Sequence, residues 1–165
     1  MNLFNLGYST GAVISPCRQY RYSLWRIWAT APYLNVIGLN PSTADAELDD
    51  PTIRRCVGFA KQWGYGGLYM TNLFAYRATD PNKMKKQVDP IGVENDKTLI
   101  EVASKAGCVV IAWGNHGKHL DRDKFVLHLF AENKIKVQCF GLNDNHTPKH
   151  PLYQPKEIQL QIYAS

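Results

Sequence analysis

Residues 33–64 read YLNVIGLNPSTADAELDDPTIRRCVGFAKQWG. The opening run, Tyr33 to Leu39, is short and apolar and stops at Asn40-Pro41-Ser42, as a buried parallel strand does. Asp50 is a good helix N-cap, and Pro51 falls at N1, where its missing N–H costs nothing. Ile53, Val57 and Ala60 then recur on one face until Gly64 ends the helix. Strand, loop and amphipathic helix in that order make half of a parallel crossover.

The same alternation extends in both directions. Tyr20 to Trp28 (YRYSLWRIW) alternates and is rich in aromatics, which predicts a strand and allows it an edge position. Leu68–Leu73 and Cys108–Trp113 read as strands, and Ile135–Phe140 as the last one. Pro90–Ala106 reads as a helix with Val93, Leu99 or Ile100, and Ala103 inward. Lys118–Asn133 reads as another, with Leu120, Phe125, Leu129 and Phe130 on one side. A short helix is expected near Lys156–Tyr163. The prediction is one domain over 1–165: an α/β fold, a three-layer α/β/α sandwich. Its central sheet is expected to be mostly parallel, with about four or five strands.

Composition bounds the function. The chain has 165 residues, 45% hydrophobic and 20% charged, which is ordinary globular usage and excludes a disordered tail or a collagen. No apolar run reaches the ~20 residues of a membrane helix. The start, MNLFNLGYSTGAVISPC, lacks the basic end and long apolar stretch of a signal peptide. Cys17, Cys56, Cys108 and Cys139 have neither zinc nor iron–sulfur spacing and read as buried thiols, so a cytoplasmic location is expected. The net charge of +5 suits a polyanionic partner without establishing one.

Ligands of open α/β sheets sit beyond the carboxyl ends of the strands. That rule selects Asn40–Asp45, Thr71–Arg77, Trp113–Lys118 and Leu142–Tyr153. None of these is a phosphate loop or a nucleophile elbow. His116 and His119 stand three apart with no third ligand, so neither metal nor cofactor is expected.

Gly38-Leu39-Asn40-Pro41 resembles the first motif of the uracil-DNA glycosylase superfamily, G-Q-D-P-Y or G-I-N-P-G. Asn72 falls where those enzymes place a base-reading Asn, Trp113-Gly114 resembles their strand ending in W-G, and His150-Pro151-Leu152-Tyr153 resembles their H-P-S-P. At closer range the chain is identified as a member of the domain-of-unknown-function 1643 family. The matching residues are Tyr20-Arg21-Tyr22, Leu39 to Asp45, Asp49 to Cys56, Asn72 to Ala75, Arg77-Ala78-Thr79 and His150 to Tyr153. That resemblance covers roughly 17–155 and carries no settled activity.

The superfamily resemblance implies a DNA base glycosylase that hydrolyses the N-glycosidic bond of a flipped pyrimidine. Catalysis would fall to Asn40, which positions a water, and to His150, which donates to the leaving base. An amide cannot take a proton, so Asp45 is either the missing carboxylate or an Asx-turn residue. Asp50 is read as a helix cap. Asn72 is either a base reader or a strand-end Asn bonded to loop backbone. Leu39 and Ser42 join the base-binding set. Ser42 stands where the uracil-specific branch has Tyr, so a C5-substituted or mismatched pyrimidine would not clash. Phe74 and Tyr76 are stacking candidates, with core packing preferred for Phe74. Leu152 and Tyr153 are a candidate wedge, or else core of the tail. Arg77, Lys118 and Lys149 are the nearest candidate phosphate contacts; Arg54, Arg55, Lys83, Lys85 and Lys86 are more distant ones. The expected partner is duplex or single-stranded DNA bound by a monomer, with no membrane and no obligate protein partner. The alternatives are a non-catalytic binder of modified or damaged bases and an N-glycosidase of modified pyrimidine nucleotides.

Overall fold

The computed structural model describes residues 9–164; the signal-peptide reading falls partly on 1–8, outside the described residues. Among the described residues seven strands form one sheet: β1 (Ser9–Ile14), β2 (Arg21–Ile27), β3 (Tyr33–Gly38), β4 (Gly67–Asn72), β5 (Cys108–Ile111), β6 (Gln138–Cys139) and β7 (Gln161–Ile162), in the order β1-β2-β4-β3-β5-β6-β7. The helices are α1 (Pro51–Gln62), α2 (Pro81–Lys85), α3 (Asn95–Lys105) and α4 (Arg122–Glu132).

β4, β3, β5 and β6 run parallel, as the alternation requires. β2 and β1 extend one side antiparallel, and β7 extends the other. The sheet is therefore larger than the four or five strands expected, and half of its six pairings are antiparallel. Two strands escaped the reading. β1 is half polar and exposed, and β7 lies in the tail where the short helix is expected. The tail Ile158-Gln159-Leu160-Gln161-Ile162 has period two, which is a strand's pattern and not a helix's.

Side-chain alternation along the buried strands builds the core. Leu34, Val36, Cys108 and Val110 pack with Ile53, Cys56 and Phe59 of α1. Ile37, Val109 and Ile111 pack with Leu99 of α3 and Val126 and Phe130 of α4. One residue's shift would exchange these two sets, so burial on both sides holds the register.

Two helices start later than expected. α3 begins at Asn95, which leaves Val93 exposed. Asn115–Asp121 is a 3₁₀ segment, and Leu120 and Asp121 have φ of 56° and 53°. These left-handed residues interrupt the helical path before α4, and Leu120 and Phe125 are exposed, not inward. Among the described residues no helix is long and apolar enough to cross a membrane.

Candidate active site

The chain passes from β3 to β4 on one side and from β5 to β6 on the other. The carboxyl ends of β3 and β5 therefore flank the switch point where such sheets open a crevice. A cavity of about 1140 Å³ lies there. Its wall includes Leu39, Asn40, Ser42, Asn72, Lys149, His150, Leu152 and Tyr153, eight of the thirteen predicted site residues.

Backbone hydrogen bonds lock the loops around it. Leu73 and Phe74 donate to the carbonyls of Gly38 and Leu39 at 3.0 and 2.9 Å. Gly114 donates to Pro148 at 2.9 Å, and Lys149 to Gly141 at 3.0 Å, which ties the His150 segment to the ends of β5 and β6. Thr147, buried, donates through Oγ1 to Asn115 Oδ1 at 2.6 Å and steadies the same segment.

The polar groups have defined orientations. Asn40 Nδ2 meets three backbone carbonyls: Ala78 at 2.8 Å, Pro41 at 3.2 Å and Tyr76 at 3.4 Å. Carbonyl oxygens only accept, so the atom facing them is the NH₂ with its two N–H donors, and Oδ1 is the end left for a ligand or water. Asn72 Oδ1 accepts from Arg21 Nη2 at 3.4 Å, while its backbone carbonyl accepts from Asn95. Its Nδ2 lies over Gly38, where a Cβ would come within 2.9 Å. His150 Nδ1 accepts from the Leu152 N–H at 3.2 Å, so Nε2 carries the proton of the neutral ring. Burial lowers the His150 pKa below the ordinary value, partly opposed by the Asp50 carboxylate.

Five candidates lie elsewhere. Asp45 Oδ1 accepts from Glu47 N–H at 2.9 Å and Leu48 N–H at 2.8 Å, and these bonds, Leu48's first, lower its pKa. It closes an Asx turn and does not line the cavity. Phe74 is fully buried in the core beneath α3 and α4. Tyr76 packs edge-on against Tyr20 and, with Arg77, lines a smaller neighbouring pocket that also holds Lys83 and Lys86. Lys118 turns to the Asn145 carbonyl at 3.3 Å. By contrast, Leu152 and Tyr153 lie on the rim in a one-turn 3₁₀ segment, with Tyr153 84% exposed, so neither is core.

Two charged residues of the cavity wall lie outside the predicted set, Arg21 and Asp50. Arg21 is 2% exposed, and its guanidinium bonds Ala44 O and Asn72 Oδ1 but, among the described residues, meets no carboxylate within salt-bridge distance. Burial pulls its pKa down to about 10, against the attraction of Asp50. An arginine in an otherwise buried aromatic strand was the available signal. Asp50 is the helix cap foreseen, with Ile53 N–H donating to Oδ1 at 2.8 Å, but it also lines the cavity. The cysteine reading also needs correction: Cys56, Cys108 and Cys139 are buried and Cys17 is exposed. Among the described residues no three His, Cys, Asp or Glu side chains gather as a metal site would require.

The family described as "Protein of unknown function (DUF1643)" matches residues 21–152, most of the chain. The chain belongs to the DUF1643 family. The matched span holds every strand from β2 to β6 and, except Tyr153, Gln154 and Pro155, the whole cavity wall. No curated protein and no solved structure matches this DUF1643 chain.

Proposed function

We propose that this DUF1643 protein is a DNA base glycosylase, hydrolysing the N-glycosidic bond of a flipped modified or mismatched pyrimidine. The observation that carries the reading is the Leu152 N–H bond to His150 Nδ1. It leaves a neutral ring with one donor, Nε2–H, on the cavity wall. Such a donor stabilises negative charge growing on a departing base carbonyl.

The other polar groups complement it. Asn40 Oδ1 can accept from a water and hold it for attack. Asn72 Nδ2 can donate to a carbonyl on the base edge. Ser42 sits against Thr79 on the cavity wall, their hydroxyls 3.1 Å apart, and a Ser side chain is far smaller than a Tyr ring. That room suits a C5 substituent. The exposed Leu152–Tyr153 turn on the cavity rim can serve as a wedge, and Lys149 beside it can meet a phosphate. Helix α1 on one face of the sheet, with α2, α3 and α4 on the other, supports the reading of a uracil-DNA glycosylase-like layered sandwich.

The test is base release from labelled duplex and single-stranded oligonucleotides carrying uracil, thymine opposite guanine, 5-hydroxymethyluracil or bulkier C5-modified pyrimidines. Abasic sites are expected with at least one C5-substituted base, and are expected to vanish in the Asn40→Ala, His150→Ala double variant. Efficient cleavage of uracil with refusal of every C5-substituted base overturns the Ser42 argument. Salt-sensitive binding without release points to a non-catalytic reader. Release from nucleotides alone points to a nucleotide N-glycosidase.

A further inference from the structure

Hydrolysis of an N-glycosidic bond passes through an oxocarbenium-like transition state with positive charge on the sugar, and a carboxylate is the group that balances it. Asn40 cannot, and Asp45 is spent on its own turn. Among the described residues lining the cavity, Asp50 supplies the only carboxylate. Only Oδ1 is used in capping α1, and no described residue donates to Oδ2. Both Arg21 and His150, on the same wall, feel its charge. The backbone before it is held firmly. Buried Arg26 binds the Asp49 carboxylate at 2.9 Å and the Asp45 carbonyl at 2.7 Å, which fixes the approach to α1.

We propose that Asp50 is the catalytic carboxylate of this site, acting through Oδ2 while Oδ1 caps the helix. This rests on the glycosylase reading. In the step, the water oxygen bonds to C1′ as the C1′–N bond breaks. The bonding electron pair leaves with the base, whose carbonyl accepts from His150 Nε2–H. Asp50 faces the cationic sugar and takes the proton that the water loses. The base anion is protonated from solvent, and Asp50 returns its proton to solvent. The cap and the catalytic oxygen are thus two atoms of one side chain, so α1 itself aims the carboxylate.

The test needs no knowledge of the base. Full-length protein is titrated with two duplexes, one carrying a protonated pyrrolidine in place of the deoxyribose and one carrying neutral tetrahydrofuran. The wild type is expected to favour the cationic duplex by about tenfold or more, as close charge pairs at interfaces do. Asp50→Asn, which keeps a good N-cap, is expected to bring that ratio close to one while retaining affinity for the neutral duplex. Asp45→Asn is expected to leave the ratio unchanged, and Asp50→Ser provides a second capping variant if Asp50→Asn misfolds. An unchanged ratio in a folded Asp50 variant overturns this inference alone. Failure of the wild type to bind either duplex overturns the DNA glycosylase reading and this inference with it.

Discussion

Arg21 Nη2 donates to Asn72 Oδ1 at 3.4 Å, joining the start of β2 to the carboxyl end of β4. Because β2 runs antiparallel to β4, the first residues of one strand stand beside the last of the other. The consequence is chemical. An amide whose oxygen faces a guanidinium keeps its NH₂ free, so Asn72 meets a ligand as a donor.

Arg21 is therefore a positioning residue. Arg21→Lys keeps the charge but loses the planar fork that reaches Ala44 O and Asn72 Oδ1 together. We expect a loss of about 1–3 kcal/mol by urea denaturation, the cost of leaving a buried acceptor unpaired. Base release should fall at least about tenfold, one mispositioned contact being worth roughly 1.4 kcal/mol. Unchanged release would show that Asn72 needs no such anchor.

Gly38 matters for a different reason. A Cβ there would stand 2.9 Å from Asn72 Nδ2, and Arg21 holds the other end of that amide. Gly38→Ala should cost about 1–3 kcal/mol of stability as local overpacking and should displace the Asn72 donor. Loss of ligand binding with a retained cooperative melt is the expected pair of results. Wild-type binding would mean that the amide moves aside freely.

His150 gives a pH signature. Burial, its largest cause, lowers the folded pKa below about 6.5, the unfolded value. Between the two values the unfolded chain binds more protons, so stability rises with pH there. The contribution is complete above about pH 6.5 and is lost as pH falls through the folded pKa. His119 shifts in the same direction, by burial and then by Lys85. Urea midpoints should fall between pH 7 and pH 5. His150→Gln should flatten the fall in part, beyond the effect of His119→Gln. A midpoint in His150→Gln that tracks the wild type at every pH would contradict the assignment.

Thiol chemistry separates the four cysteines. Cys17 is exposed, and Ser15, then the Gln19 backbone, lowers its pKa. Burial pushes Cys56 and Cys108 up, and Cys139 is buried. A chromogenic disulfide should label one thiol quickly in the folded protein and the others only on unfolding. Cys17→Ser should abolish the fast phase; a fast phase that survives it would place reactivity elsewhere.

The central strands and α1 were legible because their signals are local. An apolar run ending at Asn40-Pro41 and a cap-plus-proline start at Asp50-Pro51 act over a few residues. Each is realised in β3 and α1. The short edge strands were not legible, since β1 and β7 take their state from pairing with β2 and β6 rather than from their own composition. The break at Leu120 and Asp121 was equally hidden, because neither residue announces a positive φ.

For the site, sequence alone determined which strand ends hold the polar groups, since strand-end loops follow from the βα alternation. It named Asn40, Asn72, Ser42, Lys149 and His150, and the cavity gathers them. Only the tertiary structure decided which way each group faces. Asp45 and Asp50 are both capping carboxylates in sequence, and a five-residue separation says nothing of which one reaches the crevice. Asp45 closes its turn behind the loop, while α1 carries Asp50 to the wall beside Arg21 and His150. The side chains of Arg21, Asn40 and Asn72 are held by partners 23 to 51 positions away in the chain, and local patterning holds no information about those partners.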